Sequence, residues 1–164
     1  MKVPKSLAKA FILGDENAIS EIYFKYRGLL YFIISAYVKT KEDCEDVYQE
    51  VFLRIIVRKD EIRDPSNLHN YLCQVAKTMA INYAKKNSKM QLIDNDEEIQ
   101  AEENYRIDDL LPYNLTKTEK AVVGYKLCFG LRYKEISEIT GTPISTLKAM
   151  YSQALRKIKE VNYE

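Results

Sequence analysis

The stretch from Tyr133 to Ile158, YKEISEITGTPISTLKAMYSQALRKI, decides the fold. Ile136 and Ile139 are three residues apart and can share the inner face of a short helix over residues 133–140. Gly141-Thr142-Pro143 is a turn signal, because glycine accepts a positive φ and proline fixes its own. Ser145 is placed to cap a second helix, in which Leu147, Met150, Tyr151, Ala154, Leu155 and Ile158 recur at helical steps. A short helix, a glycine-containing turn and a capped second helix make a helix-turn-helix, although a plain helical hairpin uses the same turn chemistry. In a helix-turn-helix the N-terminal residues of the second helix face base edges in the major groove. Here those residues are Ser145, Thr146, Lys148 and Ala149, with Ser152 and Arg156 one and two turns further on. Hydroxyls can hold phosphates, and Lys148 can reach phosphate or guanine.

Upstream, Thr116-Lys117-Thr118-Glu119 is a capping box. It opens a helix expected to reach Cys128 and to stop at Gly130. The N-terminal half is helical by the same logic. A short helix over residues 5–13 ends at Gly14, and Asn17 can cap a second helix to about Val38. Asp43 can cap a third helix to about Arg58, with Val47, Tyr48, Val51, Phe52, Ile55 and Ile56 as its apolar face. The opposite face holds Asp46, Gln49, Glu50 and Arg54. After a polar loop with an Asp64-Pro65 turn, a fourth helix is expected from Asn67 to Lys86. Its buried stripe is Leu68, Tyr71, Leu72, Val75, Ala76, Met79 and Tyr83. Asn70, Gln74, Lys77, Asn82, Lys85 and Lys86 are left outside; amides can bond base edges and lysines can neutralise phosphates. Tyr71 and Tyr83 could stack on unpaired bases or be ordinary core residues.

The expected fold is therefore all-α: two small helical domains joined by a flexible acidic linker, the C-terminal one a helix-turn-helix. The domains are placed at residues 1–87, 88–114 (linker) and 115–164. Charge follows the same division. The whole chain of 164 residues has 25 Lys and Arg against 24 Asp and Glu, a net charge of +1. Residues 1–87 carry 14 basic and 11 acidic groups, residues 88–114 two basic and eight acidic, and residues 115–164 nine basic and five acidic. Two mildly basic segments thus flank a strongly acidic one, which the total conceals. With 46% hydrophobic residues, a disordered acidic chain is excluded, and five Gly and four Pro are few for a turn-rich all-β fold.

No nucleophile elbow, phosphate-binding glycine loop or zinc-protease helix occurs, so no catalytic residue, cofactor or metal is assigned and the chain is not read as an enzyme. The Asp43/Asp46 and Asp46/Glu50 pairs lie one turn apart and, with one histidine in the chain, suit a solvated face or a protein contact rather than a metal. Cys44, Cys73 and Cys128 are odd in number and widely spaced, as in a reduced cytosolic protein, with Cys73 and Cys128 expected in packed helices. No signal-peptide core is recognised, and the longest apolar stretch, Leu29 to Val38, is about half of a membrane span, so no membrane insertion and a cytoplasmic location are expected.

Three blocks in order resemble the extracytoplasmic-function sigma factors, short members of the sigma-70 family of bacterial RNA polymerase. They are Asp43-Cys44-Glu45-Asp46-Val47-Tyr48-Gln49-Glu50-Val51-Phe52, then Asn70 to Lys77 with Asn82 to Lys86, then Leu115 to Lys159 with Glu119, Tyr133, Glu135-Ile136, Gly141, Thr146-Leu147-Lys148 and Ala154. The resemblance implies a subunit that binds core RNA polymerase and directs promoter-specific initiation. It implies that Asp46, Gln49 and Glu50 dock on the polymerase clamp helices. The fourth helix and the loop before it would engage the −10 element, where the family captures a flipped base, and the last helix would read the −35 element. It also implies that the acidic linker threads toward the active-site channel and that an anti-sigma factor is a common partner. Lys77-Thr78 stands where the family usually has Arg-Asn, and Met150, Gln153 and Leu155 stand where basic residues are common, so free DNA should be held weakly. The reading from residues alone leaves an alternative, a helix-turn-helix regulator that works without core polymerase.

Overall fold

The computed structural model describes residues 3–91, 111 and 114–161, which fall into two compact units. Among the described residues there are helices and no strands.

In the N-terminal unit, α1 (Lys5–Ile12) ends at Gly14, whose φ of 85° a side chain would resist. α2 (Glu16–Ser35) is capped by Asp15, whose carboxylate accepts the Ala18 N–H at 2.8 Å. Asp15, not Asn17, has the extended backbone that a cap needs, because the Gly14 turn leaves the chain there. α3 (Lys41–Val57) is capped by Thr40, which accepts the Asp43 N–H at 3.1 Å; the expected cap Asp43 is itself in the first turn, where its charge favours the helix N-terminus. The connection to α4 (Leu68–Gln91) is two 3-10 turns, Lys59–Glu61 and Pro65–Asn67, and Asp64 caps the second through the Ser66 N–H at 2.9 Å. α4 runs beyond the expected Lys86, so the first residues assigned to the linker are helical. The rest of that linker, apart from Leu111 and Asn114, lies outside the described residues.

α2, α3 and α4 pack against each other, and α1 closes one end over α2 and the 3-10 turns. The shared core includes Tyr26, Leu29, Leu30 and Ile33 from α2, Tyr48, Val51 and Ile55 from α3, and Leu68, Leu72 and Ala76 from α4. Full burial of each large side chain contributes about 1.5–3 kcal/mol. Cys44 is buried with its thiol pushed up to about 11, chiefly by that burial, and Cys73 is buried as expected.

In the C-terminal unit the capping box forms: Thr116 accepts the Glu119 N–H at 3.2 Å and Glu119 accepts the Thr116 N–H at 2.8 Å. It opens α5 (Lys117–Val123). The expected α-helix to Cys128 changes at Gly124 into a π-helical turn, Gly124–Cys128. That turn rotates Cys128 out to solvent, against the expectation that it would be packed. α6 (Tyr133–Thr140) buries Ile136 and Ile139 and ends at Gly141, at φ 74°. α7 (Ile144–Val161) begins two residues earlier than the Ser145 cap requires: the Leu147 N–H bonds the Pro143 carbonyl at 3.0 Å, and Ser145 is already helical. Leu115, Val123 and Ala154 form a core cluster with Leu111, Tyr151 and Ile158 against it, and α7 packs on both α5 and α6.

Candidate functional site

The outward face of α3 follows from its inward one. With Val47, Tyr48, Val51, Phe52 and Ile55 buried, Asp46, Gln49 and Glu50 are exposed on the opposite side. The edge of the helix is tied to α2 by the Arg27–Glu45 pair at 2.9 Å, and Tyr48 donates to the Tyr23 carbonyl at 3.0 Å. On the α4 side the Tyr83 phenol is raised, first by its hydrogen bond to Asp43. The helix is therefore braced on both flanks while its acidic and amide face stays open. Two residues that the sequence reading passed over extend that face. Leu53 is 64% exposed and Val57 77% exposed, and they follow Glu50 at steps of three and four residues. They give the acidic and amide face an apolar end.

On α4, Asn70, Gln74, Asn82, Lys85 and Lys86 are exposed and Lys77 is half-buried. Asn70, Gln74 and Lys77 follow at steps of four and three residues and Lys85 comes eight further on along the same side, with Asn82 and Lys86 displaced round the helix. Beside its N-terminus, the buried Ile62 pins the connection between the two 3-10 turns, leaving Arg63, Asp64, Ser66 and Asn67 outside. Tyr71 and Tyr83 are half-buried; the Tyr71 phenol is raised by burial first and by Glu61 next. Neither tyrosine belongs to the fully buried core. His69, half-buried, faces Tyr26 with its Nδ1 3.1 Å from the phenol oxygen. No group of three His, Cys, Asp or Glu able to hold a metal occurs among the described residues.

On α7, Ser145, Thr146, Lys148, Ala149, Ser152 and Arg156 are all exposed, and the buried Leu147 and Ala154 anchor the opposite side. Arg156 is partly neutralised by Glu160 at 3.9 Å. The orientation of α7 is set by a buried group that sequence reading treated only as a cap. Glu119, 4% exposed, takes the Lys157 ammonium on both oxygens at 3.0 and 2.9 Å. That hydrogen bond first, and the Thr116 backbone N–H next, hold the Glu119 carboxyl below its ordinary value. Thirty-eight residues separate the partners, so no local pattern announces them.

The comparisons with known proteins agree with this layout. The chain matches Sigma-70 region 2 over residues 22–90 and Sigma-70, region 4, over residues 114–158. It is 26% identical to RNA polymerase sigma factor SigV of Bacillus subtilis (strain 168) over 140 residues, 79% of this chain and 81% of that protein. It is 25% identical to the ferric citrate uptake sigma factor FecI of Escherichia coli (strain K12), over 82% of this chain and 84% of that one. Among solved structures, CnrH in complex with the cytosolic domain of CnrY has the same fold, with a TM-score of 0.62 at 15% identity, covering 96% of this chain and 95% of that one.

Proposed function

Because this chain belongs to the extracytoplasmic-function sigma factors of the sigma-70 family, which bind core RNA polymerase and direct promoter-specific initiation without being enzymes, we propose how its residues divide that work. Asp46, Gln49 and Glu50 on α3 meet core polymerase, with Leu53 and Val57 as the apolar end of the same contact. Asn70, Gln74, Lys77, Asn82, Lys85 and Lys86 on α4 meet the −10 element together with the turn-rich connection before them. Ser145, Thr146, Lys148, Ala149, Ser152 and Arg156 on α7 meet the −35 element. Residues 1–87 then form the polymerase and −10 domain, 88–114 a largely acidic tether, and 115–164 the −35 domain.

The observation that carries this reading is the α3 face. A helix braced on both flanks, presenting acids, an amide and then two exposed aliphatics, has no use in a protein that only binds DNA. The alternative of a regulator acting without core polymerase leaves that face, and the region 2 match around it, without a role. Weakly basic DNA surfaces fit the same account, since polymerase supplies most of the affinity and this subunit the register. Such a subunit works where polymerase works, in the cytoplasm, and no described helix is long and apolar enough to cross a membrane. CnrH has been seen in complex with the cytosolic domain of CnrY, and for this chain an anti-sigma factor belongs to the proposal.

The test is initiation in a reconstituted system. Core polymerase with this chain starts transcription at specific promoters. Glu50→Lys lowers association with core, and Lys148→Ala weakens −35 dependence while core association holds. Failure of the chain to associate with core in native gels contradicts the assignment of α3.

A further inference from the structure

Lys126 is outside every residue set assigned above, yet it stands beside the DNA-reading helix. It lies in the π-helical turn Gly124–Cys128, where its ammonium donates to the Leu131 carbonyl at 3.0 Å and sits 4.6 Å from the centre of the Tyr133 ring. Lys148, from the first turns of α7, reaches the same ring at 6.0 Å. Three elements that are separate in sequence therefore bring two ammonium groups to one aromatic ring. The ring is itself held edge-on by Tyr151, with centroids 6.2 Å apart.

The way these charges are held matters. Arg132 is paired with Glu135, Arg156 with Glu160 and Lys157 with Glu119. Lys126 and Lys148 have no carboxylate partner among the described residues; they are held by a carbonyl and by a ring quadrupole, which orient a cation without cancelling its charge. An ammonium has three donors, and the Leu131 carbonyl takes one of those of Lys126. Two oriented, unneutralised cations next to an exposed helix N-terminal turn are suited to the oxygens of a nucleic-acid backbone.

We propose that Lys126 and Lys148 together clamp promoter backbone phosphate at the entry of α7, with Tyr133 as the positioning residue that gathers them. The inference rests on the assignment of α7 to the −35 element. It adds a phosphate contact from outside the helix-turn-helix and gives Tyr133 a role beyond packing.

The experiment measures binding of the reconstituted holoenzyme to a promoter fragment across a salt series, beside a fragment cut off upstream of the −10 element. Each lost phosphate contact lowers the log-salt slope by about one unit. Lys126→Met is expected to lower the slope by about one on the full fragment and not on the shortened one, and Lys126→Arg to retain it. Tyr133→Leu is expected to weaken binding about threefold with the slope unchanged, and Tyr133→Phe to restore it. An unchanged slope for Lys126→Met, or the same drop on both fragments, overturns the clamp. If Lys148→Ala also leaves the slope unchanged, the assignment of α7 itself fails; if Lys148→Ala lowers it and Lys126→Met does not, only the clamp fails.

Discussion

The two units of this chain reach a fixed shape by different physics. The N-terminal unit relies on apolar burial. Three long helices share a core of fully buried Ile, Leu and Tyr, and its polar devices sit at the margins. Its aromatic side chains interlock, with Tyr23 edge-on to Phe52 at 4.8 Å and close to Tyr48 at 5.3 Å. The C-terminal unit is too short to bury as much, and small domains are marginal for that reason. It supplements Leu115, Val123 and Ala154 with a capping box, a left-handed glycine and the Glu119–Lys157 pair. The difference teaches that the same class of helix can be placed by packing or by polar geometry. The polar solution is the more fragile one.

The largest expected effect breaks the smaller unit. Glu119→Ala removes a helix cap and strands the Lys157 ammonium, at a cost of about 3 kcal/mol, comparable to the whole stability of a domain of this size. Hydrogen exchange should show protection lost across residues 117–161 and kept across α2 and α3. Leu30→Ala costs a similar amount in the larger unit, about 3 kcal/mol, but should weaken that unit without unfolding it.

Acid comes next in size. The folded-state value for Glu119 is depressed, so its contribution is fully present above its ordinary value of 4.5 and is lost as the pH falls through the folded value. The C-terminal unit is therefore expected to lose protection first in an acid titration followed by exchange. In Glu119→Gln that pH dependence should flatten, though the unit is weaker at neutral pH.

Two smaller effects separate the surfaces from the cores. Lys148→Ala is expected to reduce holoenzyme affinity for a −35-containing fragment about fivefold and the log-salt slope by about one, with the thermal midpoint unchanged, since the side chain is exposed. Leu53→Ala is expected to weaken core polymerase binding about threefold, again without a stability change, because the side chain is 64% exposed in the free protein. A loss of stability in Leu53→Ala would move that residue from the docking face to the core.

What could be read in the sequence was local and periodic. The stripes of α3, α4 and α7, the capping box at Thr116 and the turn at Gly141 all express rules that act over about four residues. Apart from the Thr116 box, caps were legible only to within a few residues. Asp15 and Asn17, Thr40 and Asp43, or Pro143 and Ser145 compete within a few residues, and the winner depends on where the preceding turn leaves the backbone. Features that depend on tertiary approach were not legible. The π-helical turn that exposes Cys128 and aims Lys126, and the pairing of Glu119 with Lys157, have no signature in spacing. Leu53 and Val57 were hidden differently: they fall outside the apolar stripe of α3, and only their exposure marks them.

The proposed division, α3 for core polymerase and α7 for the promoter, is tested most directly by the affinity of Glu50→Lys for core polymerase. At least a tenfold loss is expected, with exchange protection of both units preserved. Wild-type affinity in that variant would contradict it.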